Sequence, residues 1–302
     1  MSPCFADGRW QLGLHPVIMG ILNVTPDSFS DGGRYAAPDA AVDHALEMAR
    51  AGADIIDIGG QSTRPGAAKI SAAEEIARLT PVLERLRGRV ALPLSVDTFY
   101  PEVAAFALTH GVDIVNDVSG LPTAEMATHV RENRAGWIVM HNPGGQSGAT
   151  DCAAYPDGVV AAVSQFFAQA KQFAHTHGVD EAALCFDPGF GFCKTLEEHA
   201  LLLGQLDEVN EGIGCTGCFS ALIYLFRKNK ENVPKKLRAA PMLVGLSRKR
   251  FVRELYGCEN ERELDIASAA LHHLACTRGA GIIRTHNVAL TRRVLDGIQW
   301  TN

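Results

Sequence analysis

Eight short apolar runs, each followed by a stretch with helical spacing, constrain most strongly what this 302-residue chain can fold into. The runs are Val17–Leu22, Ile55–Ile58, Leu92–Val96, Asp113–Val115, Trp137–Met140, Leu184–Phe186, Met242–Gly245 and Gly281–Arg284. They show little of the apolar–polar alternation of a half-exposed sheet, which is the pattern of strands covered on both faces. Helix signals fill the gaps. Asp39–Arg50 carries Val42, Leu46 and Ala49 near the helical period, with Gly52 beyond it. Ser71-Ala-Ala-Glu74 reads as a capping box opening a helix toward Leu86, and Thr195-Leu-Glu-Glu198 as a second. Pro101 suits a first helical turn and Gly111 its stop, while Pro156–His177 is a long amphipathic stretch ended by Gly178. Strand and helix alternating eight times predict an α/β fold, a (β/α)8 TIM barrel in preference to an open doubly wound sheet.

No linker or low-complexity tract divides the chain, so a single domain over 1–302 is expected. One stretch breaks the rhythm. Between Val209 and Met242 lie Gly212-Ile-Gly-Cys-Thr-Gly-Cys218 and then Lys228-Asn-Lys-Glu-Asn-Val-Pro-Lys-Lys236, longer than an ordinary loop between helix and strand. It reads as a surface insertion over 212–240 before the seventh strand; the rival is that Phe219–Phe226 is itself that strand. The eight cysteines are scattered without a secreted context, so most are expected to be reduced fillers. The one tight pair, Cys215 and Cys218, supplies two of the four ligands a structural zinc needs, and neither a metal nor a redox role is expected there.

A net charge of −6 and an isoelectric point near 6.0 argue against a general binder of nucleic acid or membrane surface. No apolar run approaches the length of a membrane span, and the first ten residues lack the pattern of a signal peptide, so a cytoplasmic enzyme is expected.

The functional signal is what stands at the strand ends. Asn23, Gly59-Gly60, Asp97, Asn116-Asp117, His141-Asn142, Asp187, Ser247-Arg248-Lys249 and Arg284-Thr-His286 follow the eight runs in turn. In a barrel of this kind that end of the strands is the active-site face. A single polar residue there is ordinary turn chemistry; eight together predict a polar cup. Asp97 and Asp187 are acceptors and Asn116 is both donor and acceptor, a set that suits a flat heterocycle such as a 2-amino-4-oxopyrimidine. Arg64, Arg284, His286, Ser247 and Lys249 are donors suited to phosphate or carboxylate. Asn23 alone is a meagre metal ligand, but magnesium needs few protein oxygens when phosphates and waters complete its shell. No Ser or Cys nucleophile stands paired with a base, against covalent hydrolase chemistry.

Two long motifs, Met19-Gly-Ile-Leu-Asn-Val-Thr-Pro-Asp-Ser-Phe-Ser-Asp-Gly-Gly33 and Asp57-Ile-Gly-Gly-Gln-Ser-Thr-Arg-Pro-Gly66, resemble the signatures of the dihydropteroate synthase family. Ser95-Val-Asp-Thr98, Asn116-Asp117, Met140-His-Asn142, Asp187-Pro-Gly-Phe-Gly-Phe192, Gly245-Leu-Ser-Arg-Lys249 and Arg284-Thr-His286 follow in the family's order. The resemblance covers nearly the whole chain except about 212–240. It implies a barrel that joins 6-hydroxymethyl-7,8-dihydropterin diphosphate to p-aminobenzoate, releasing diphosphate, with Mg2+ as cofactor, a homodimer packed through late helices, and an aminobenzoate pocket that is a sulfonamide target. Carried over, it implies that Asp97, Asn116, Asp187 and Lys249 hold the pterin, that Asn23 touches magnesium, and that Arg284 and His286 grip the diphosphate. Thr63, Arg64 and Pro65 would sit in the second loop, and Phe190 and the helix start after Ser247 would border the aminobenzoate pocket.

Four positions depart from the family pattern. Gln61 stands where many relatives carry Glu. Cys193 replaces a small residue and reads as a neutral filler. Asn287 follows His286 where Asp is common, and either can cap the last helix. Arg250 replaces the usual Ser after Ser-Arg-Lys; it could reach the aminobenzoate carboxylate or point to solvent, and the solvent orientation is favoured because Lys249 already faces inward. Two rivals share the barrel: a catalytically silent pterin-binding paralogue and a pterin-dependent methyl-transfer domain. The intact first two motifs disfavour the second.

Overall fold

All eight apolar runs form strands in a computed structural model that describes residues 16–25, 33–61, 69–145, 155–212 and 242–297. The strands are β1 (Val17–Asn23), β2 (Ile55–Gly59), β3 (Leu94–Thr98), β4 (Ile114–Asp117), β5 (Gly136–Met140), β6 (Leu184–Asp187), β7 (Leu243–Val244) and β8 (Ile282–Thr285). The helices between them are α1 (Gly33–Arg50), α2 (Ala72–Leu86), α3 (Pro101–Thr109), α4 (Ala124–Asn133), α5 (Val159–Thr176), α6 (Leu196–Gly204), α7 (Leu206–Gly212), α8 (Arg250–Tyr256), α9 (Glu261–Thr277) and α10 (Val288–Gly297). Every strand pairing is parallel, in the order β6-β5-β4-β3-β2-β1-β8-β7. A single parallel bridge from Phe186 to Met242 brings β6 back to the start of β7, so the sheet curls into a barrel closed at its weakest seam by one bridge. Eight strands are thus reached without Phe219–Phe226, which lies outside the described residues, as do Cys215 and Cys218.

Both faces of the strands are buried, which explains the missing alternation. Ile18, Leu22, Ile56, Ile58, Val96, Val115, Trp137, Val139 and Phe186 face outward into the large core shared with the helices. Val17, Met19, Ile55, Ile114, Ile138, Cys185, Leu243 and Ile282 face inward and fill the lower barrel. Because side chains alternate with period two, the next inward position along each strand is two residues on. Those positions include Asp57, Asn116, Asp187 and Arg284, so an apolar floor becomes a polar mouth within one step of the pleat.

Helix signals hold with adjustments. Thr195 and Glu198 form the full reciprocal capping box of α6. At α2, Ser71 accepts from the Glu74 N–H, but the Glu74 carboxylate turns to Arg78 at 2.6 Å, so only half the box forms. Pro101 opens α3, and α5 starts after Gly158 rather than at Pro156. Cys193 corrects an expectation: it is disulfide-bonded, not a neutral filler. Cys185, Cys258 and Cys276 are reduced, buried thiols, as expected.

Candidate active site

Several strands run one or two residues further than the apolar runs, and five of the expected site residues are strand residues: Asn23, Asp97, Asn116, Asp187 and Arg284. This gives them fixed backbones and inward-directed side chains. Arg284 is the hub. Its Nε donates to Asp57 Oδ2 at 2.6 Å and its Nη2 to Asp97 Oδ2 at 2.6 Å. Asn116 Nδ2 donates to the same Asp57 oxygen at 3.1 Å. Asp57 therefore belongs to the site although it was not among the expected residues; it had been seen only as the first letter of a motif. Its signal was available, since it stands two residues after the inward-facing Ile55. Asp117 does not belong: its oxygens accept from the Ser119 N–H at 3.0 Å and Trp137 Nε1 at 3.2 Å.

These groups sit in a low-dielectric mouth, and their acidities follow. Burial raises Asp97 to about 7; Arg284 opposes this, Asp57 and Asp187 add repulsion, and Lys249 opposes it too. Burial also raises Asp187, against Lys249, the Gly189 N–H bond at 2.7 Å and Arg284. Burial lowers Lys249 to about 8, with Asp187 holding the proton on more strongly than it would otherwise be held. Four buried polar atoms in this layer have no partner among the described residues: Asp57 Oδ1, Ser95 Oγ, Asp97 Oδ1 and Asn116 Oδ1. Unpaired acceptors this deep are costly unless a ligand satisfies them.

The β6–α6 loop borders the mouth. Gly189 has φ +69°, and a Cβ there would fall 2.0 Å from the His141 carbonyl oxygen; Gly191 has φ +85°, and its missing Cβ makes room for the stem of Lys249. Lys249 Nζ donates to the Phe190 carbonyl and lies 4.8 Å from the Phe192 ring centroid. The Phe190 ring itself is fully buried, against Phe251 and His199. Lys194, not anticipated, gathers the loop from behind by donating to Gly189 O at 3.0 Å and Phe192 O at 3.1 Å, with His141 Nδ1 at 3.1 Å. Burial takes His141 down to about 3, so its ring is neutral and Nδ1 is the acceptor. Nothing in the sequence marks Lys194, because its partners are backbone carbonyls.

Glu75 was also missed. It is fully buried beneath Gly60, where a Cβ would meet its Cγ at 2.8 Å, and it accepts from Thr98 Oγ1 at 3.3 Å. Burial, then Asp97, raises it to about 7.

On the other side of the mouth, Ser247 Oγ lies 2.9 Å from His286 Nδ1 and accepts from the His286 N–H at 3.1 Å. Arg250 points outward: its side chain is 81% exposed and pairs with Glu254 at 3.4 Å, so it does not reach the mouth. Asn23 ends β1, with its Oδ1 3.7 Å from where a Cβ on Gly59 would stand, beside Asp97. Among the described residues no group of three or more His, Cys, Asp or Glu could hold a metal ion. Thr63, Arg64 and Pro65 lie outside the described residues.

Unpaired acceptors around the half-buried Arg284, with a Ser–His pair beside them, thus stand on the strand-end face where barrels of this kind carry their active sites. The chain belongs to the pterin binding enzyme family, whose model matches residues 19–286. Several of its relatives are dihydropteroate synthases. The Synechocystis dihydropteroate synthase is 36% identical over 277 residues, covering 91% of this chain and 86% of the relative. The Xanthomonas albilineans dihydropteroate synthase with 4-aminobenzoic acid superposes with a TM-score of 0.80 at 41% identity, covering 95% of this chain and 93% of that one. The same enzyme in complex with 7,8-dihydropteroate gives 0.77 at 38% identity, with the same coverage.

Proposed function

We propose that this protein is a dihydropteroate synthase, condensing 6-hydroxymethyl-7,8-dihydropterin diphosphate with p-aminobenzoate to give 7,8-dihydropteroate and diphosphate. The observation that carries this reading is the layer of unpaired acceptors on Asp57, Asp97 and Asn116 beside Asp187. A pterin brings an amino group and ring N–H donors that answer such a layer. Lys249 contributes the complementary donor.

Breaking the carbon–oxygen bond leaves negative charge on diphosphate and positive charge on the pterin methylene. Asp97, ionised by the approach of substrate and paired to Arg284, faces the developing cation and stabilises it. Arg284 keeps two nitrogens on Asp57 and Asp97; its Nη1 makes no bond among the described residues and is the donor left for an anion. His286, with its Nδ1 held by Ser247, stands on the same side of the mouth and adds its ring to the grip on that anion. The weakly basic arylamine attacks the cation without a strong general base. Thr63, Arg64 and Pro65 contribute from the second loop, and Phe190 and the start of α8 border the aminobenzoate; Phe192, beside Lys249, is the more exposed ring of the two.

The residues fit Mg2+ as an ion shared with the substrate, since Asn23 Oδ1 is one oxygen and no carboxylate cage accompanies it among the described residues. When bound, it would neutralise charge on the leaving diphosphate. The protein is further read as one domain with an insertion over 212–240, as cytoplasmic, and as a homodimer through the exposed Leu255 and Tyr256 of α8 and Ile266 and Leu274 of α9. Among the described residues no helix is long and apolar enough to cross a membrane.

The test is diphosphate release by the purified protein, with each component omitted in turn. Release that requires both p-aminobenzoate and Mg2+ is expected; pterin binding without release would indicate a silent paralogue. Sedimentation of wild type and Ile266→Arg tests the dimer, the variant being expected to run as a monomer.

A further inference from the structure

Asp265 lies on α9, outside the barrel, and is 7% exposed. Its carboxylate takes three donors from two different loops. Oδ1 accepts from Arg248 Nε at 2.8 Å, and Oδ2 accepts from Arg248 Nη2 at 3.0 Å and from Asn287 Nδ2 at 2.9 Å. Arg248 is the residue after Ser247, and Asn287 is the residue after His286. The carboxylate therefore clamps the immediate neighbours of the two side chains that face each other at 2.9 Å.

Arg248 is held hard. Its backbone is left-handed at φ 57°, a conformation a residue with a long side chain seldom adopts without compensation. Its N–H donates to Ser268 Oγ at 3.2 Å, and its Nη1 pairs with Glu261 at 3.1 Å, both on α9. This turn sends the Arg248 side chain back onto α9, while Lys249, the next residue, reaches Phe190. Arg248 is an anchor, not an anion ligand, despite standing in the middle of Ser-Arg-Lys.

Asn287 is used at both ends. Its Oδ1 caps α10 by accepting from the Leu290 N–H at 3.1 Å, and its Nδ2 binds Asp265. A carboxylate at position 287 could cap the helix equally well but could not donate. It would instead set two carboxylates at hydrogen-bond distance from each other.

We propose that Asp265 is a positioning residue for the phosphate side of the site, holding Ser247 and His286 in register by gripping Arg248 and Asn287. This rests on Ser247 and His286 being the diphosphate pair of the proposed synthase. The charge-assisted, bidentate geometry supplies the rigidity, and Asn287 is the partner such a carboxylate requires.

A double-mutant cycle tests it, with inorganic diphosphate and Mg2+ titrated by calorimetry and melting followed in parallel. Asn287→Asp and Asp265→Asn should each weaken diphosphate binding on the order of tenfold. The double variant, in which amide and carboxylate exchange places, should recover most of that loss, while the KM for p-aminobenzoate stays unchanged in every soluble variant. Losses that simply multiply in the double variant, or melting shifts with diphosphate affinity unaltered, would overturn the proposal. Asn287→Ser keeps a cap and replaces the Nδ2 donor by a hydroxyl on a shorter side chain that falls short of Asp265; it should cost about threefold and serves if the charge-altering variants do not fold. Wild-type protein that does not bind diphosphate sinks the reading of Ser247 and His286, and this proposal with it; binding with an additive cycle sinks the positioning role alone.

Discussion

On the β2–β6 side of the mouth, the strand residues Asp57, Asp97 and Asn116 each keep an oxygen unpaired among the described residues, beside Asp187, and burial raises the pKa of Asp97 and Asp187. On the β7–β8 side, Ser247, Arg248, His286 and Asn287 stand on loops or turns, and the carboxylate behind them, Asp265, has every oxygen occupied. Burial pushes Asp265 up, but bonds from Arg248 and Asn287 hold it below the usual carboxylate range. The same residue type is thus poised in one half and satisfied in the other. A raised, half-paired carboxylate marks where a ligand completes the structure; a lowered, fully paired one marks where the protein has completed itself.

The largest effect that would break this contrast is at Asp97. Asp97→Asn should leave the fold intact and slow turnover roughly 100- to 1000-fold, with a much smaller change in pterin binding. Steady-state turnover beside pterin titration checks it; near-native turnover would remove Asp97 from its role.

Next in size is the pH dependence of kcat/KM. Asp97, at about 7, must be ionised, so activity should rise as pH passes through 7. Lys249, at about 8, must keep its proton, so activity should fall above 8. A narrow bell is expected. Asp97→Asn should remove its acid limb and Lys249→Arg should move its alkaline limb upward. A flat profile from pH 6 to 9 would contradict both assignments.

A stability effect of a few degrees sharpens the comparison. Glu75 is raised from 4.5 to about 7, so its folded form binds the proton more tightly than its unfolded form does. That contribution is complete below pH 4.5 and is lost as pH rises through 7. Glu75→Gln should therefore melt about 2–4 °C above wild type at pH 8, the advantage vanishing near pH 4.5. Melting curves across that range decide it; an advantage that grows toward acid pH would reverse the sign.

The smallest effect is at Arg250. Its exposed guanidinium pairs with Glu254, so Arg250→Ser should leave the KM for p-aminobenzoate unchanged. A raised constant in steady-state kinetics would place the side chain in the pocket after all.

The alternation of apolar runs with helix signals was enough to specify the barrel, because strands buried on both faces and capped helices are local, periodic properties. The polar cup was legible for the same reason: Asn116, Asp187 and Arg284 fall two residues after inward apolar residues, and Asp97 two after the inward Ser95. Asp57 obeyed that rule and could have been read by it. Lys194, Glu75 and Asp265 could not. Each acts on groups brought beside it from distant parts of the chain, namely the Gly189 and Phe192 carbonyls with His141, the Thr98 hydroxyl, and Arg248 with Asn287. Sequence alone therefore determined which strands exist and which residues face the mouth, because backbone period fixes direction. Only the tertiary structure decided which charges are paired, which carboxylates are raised and which lowered, because burial and partner geometry exist only once the barrel has closed.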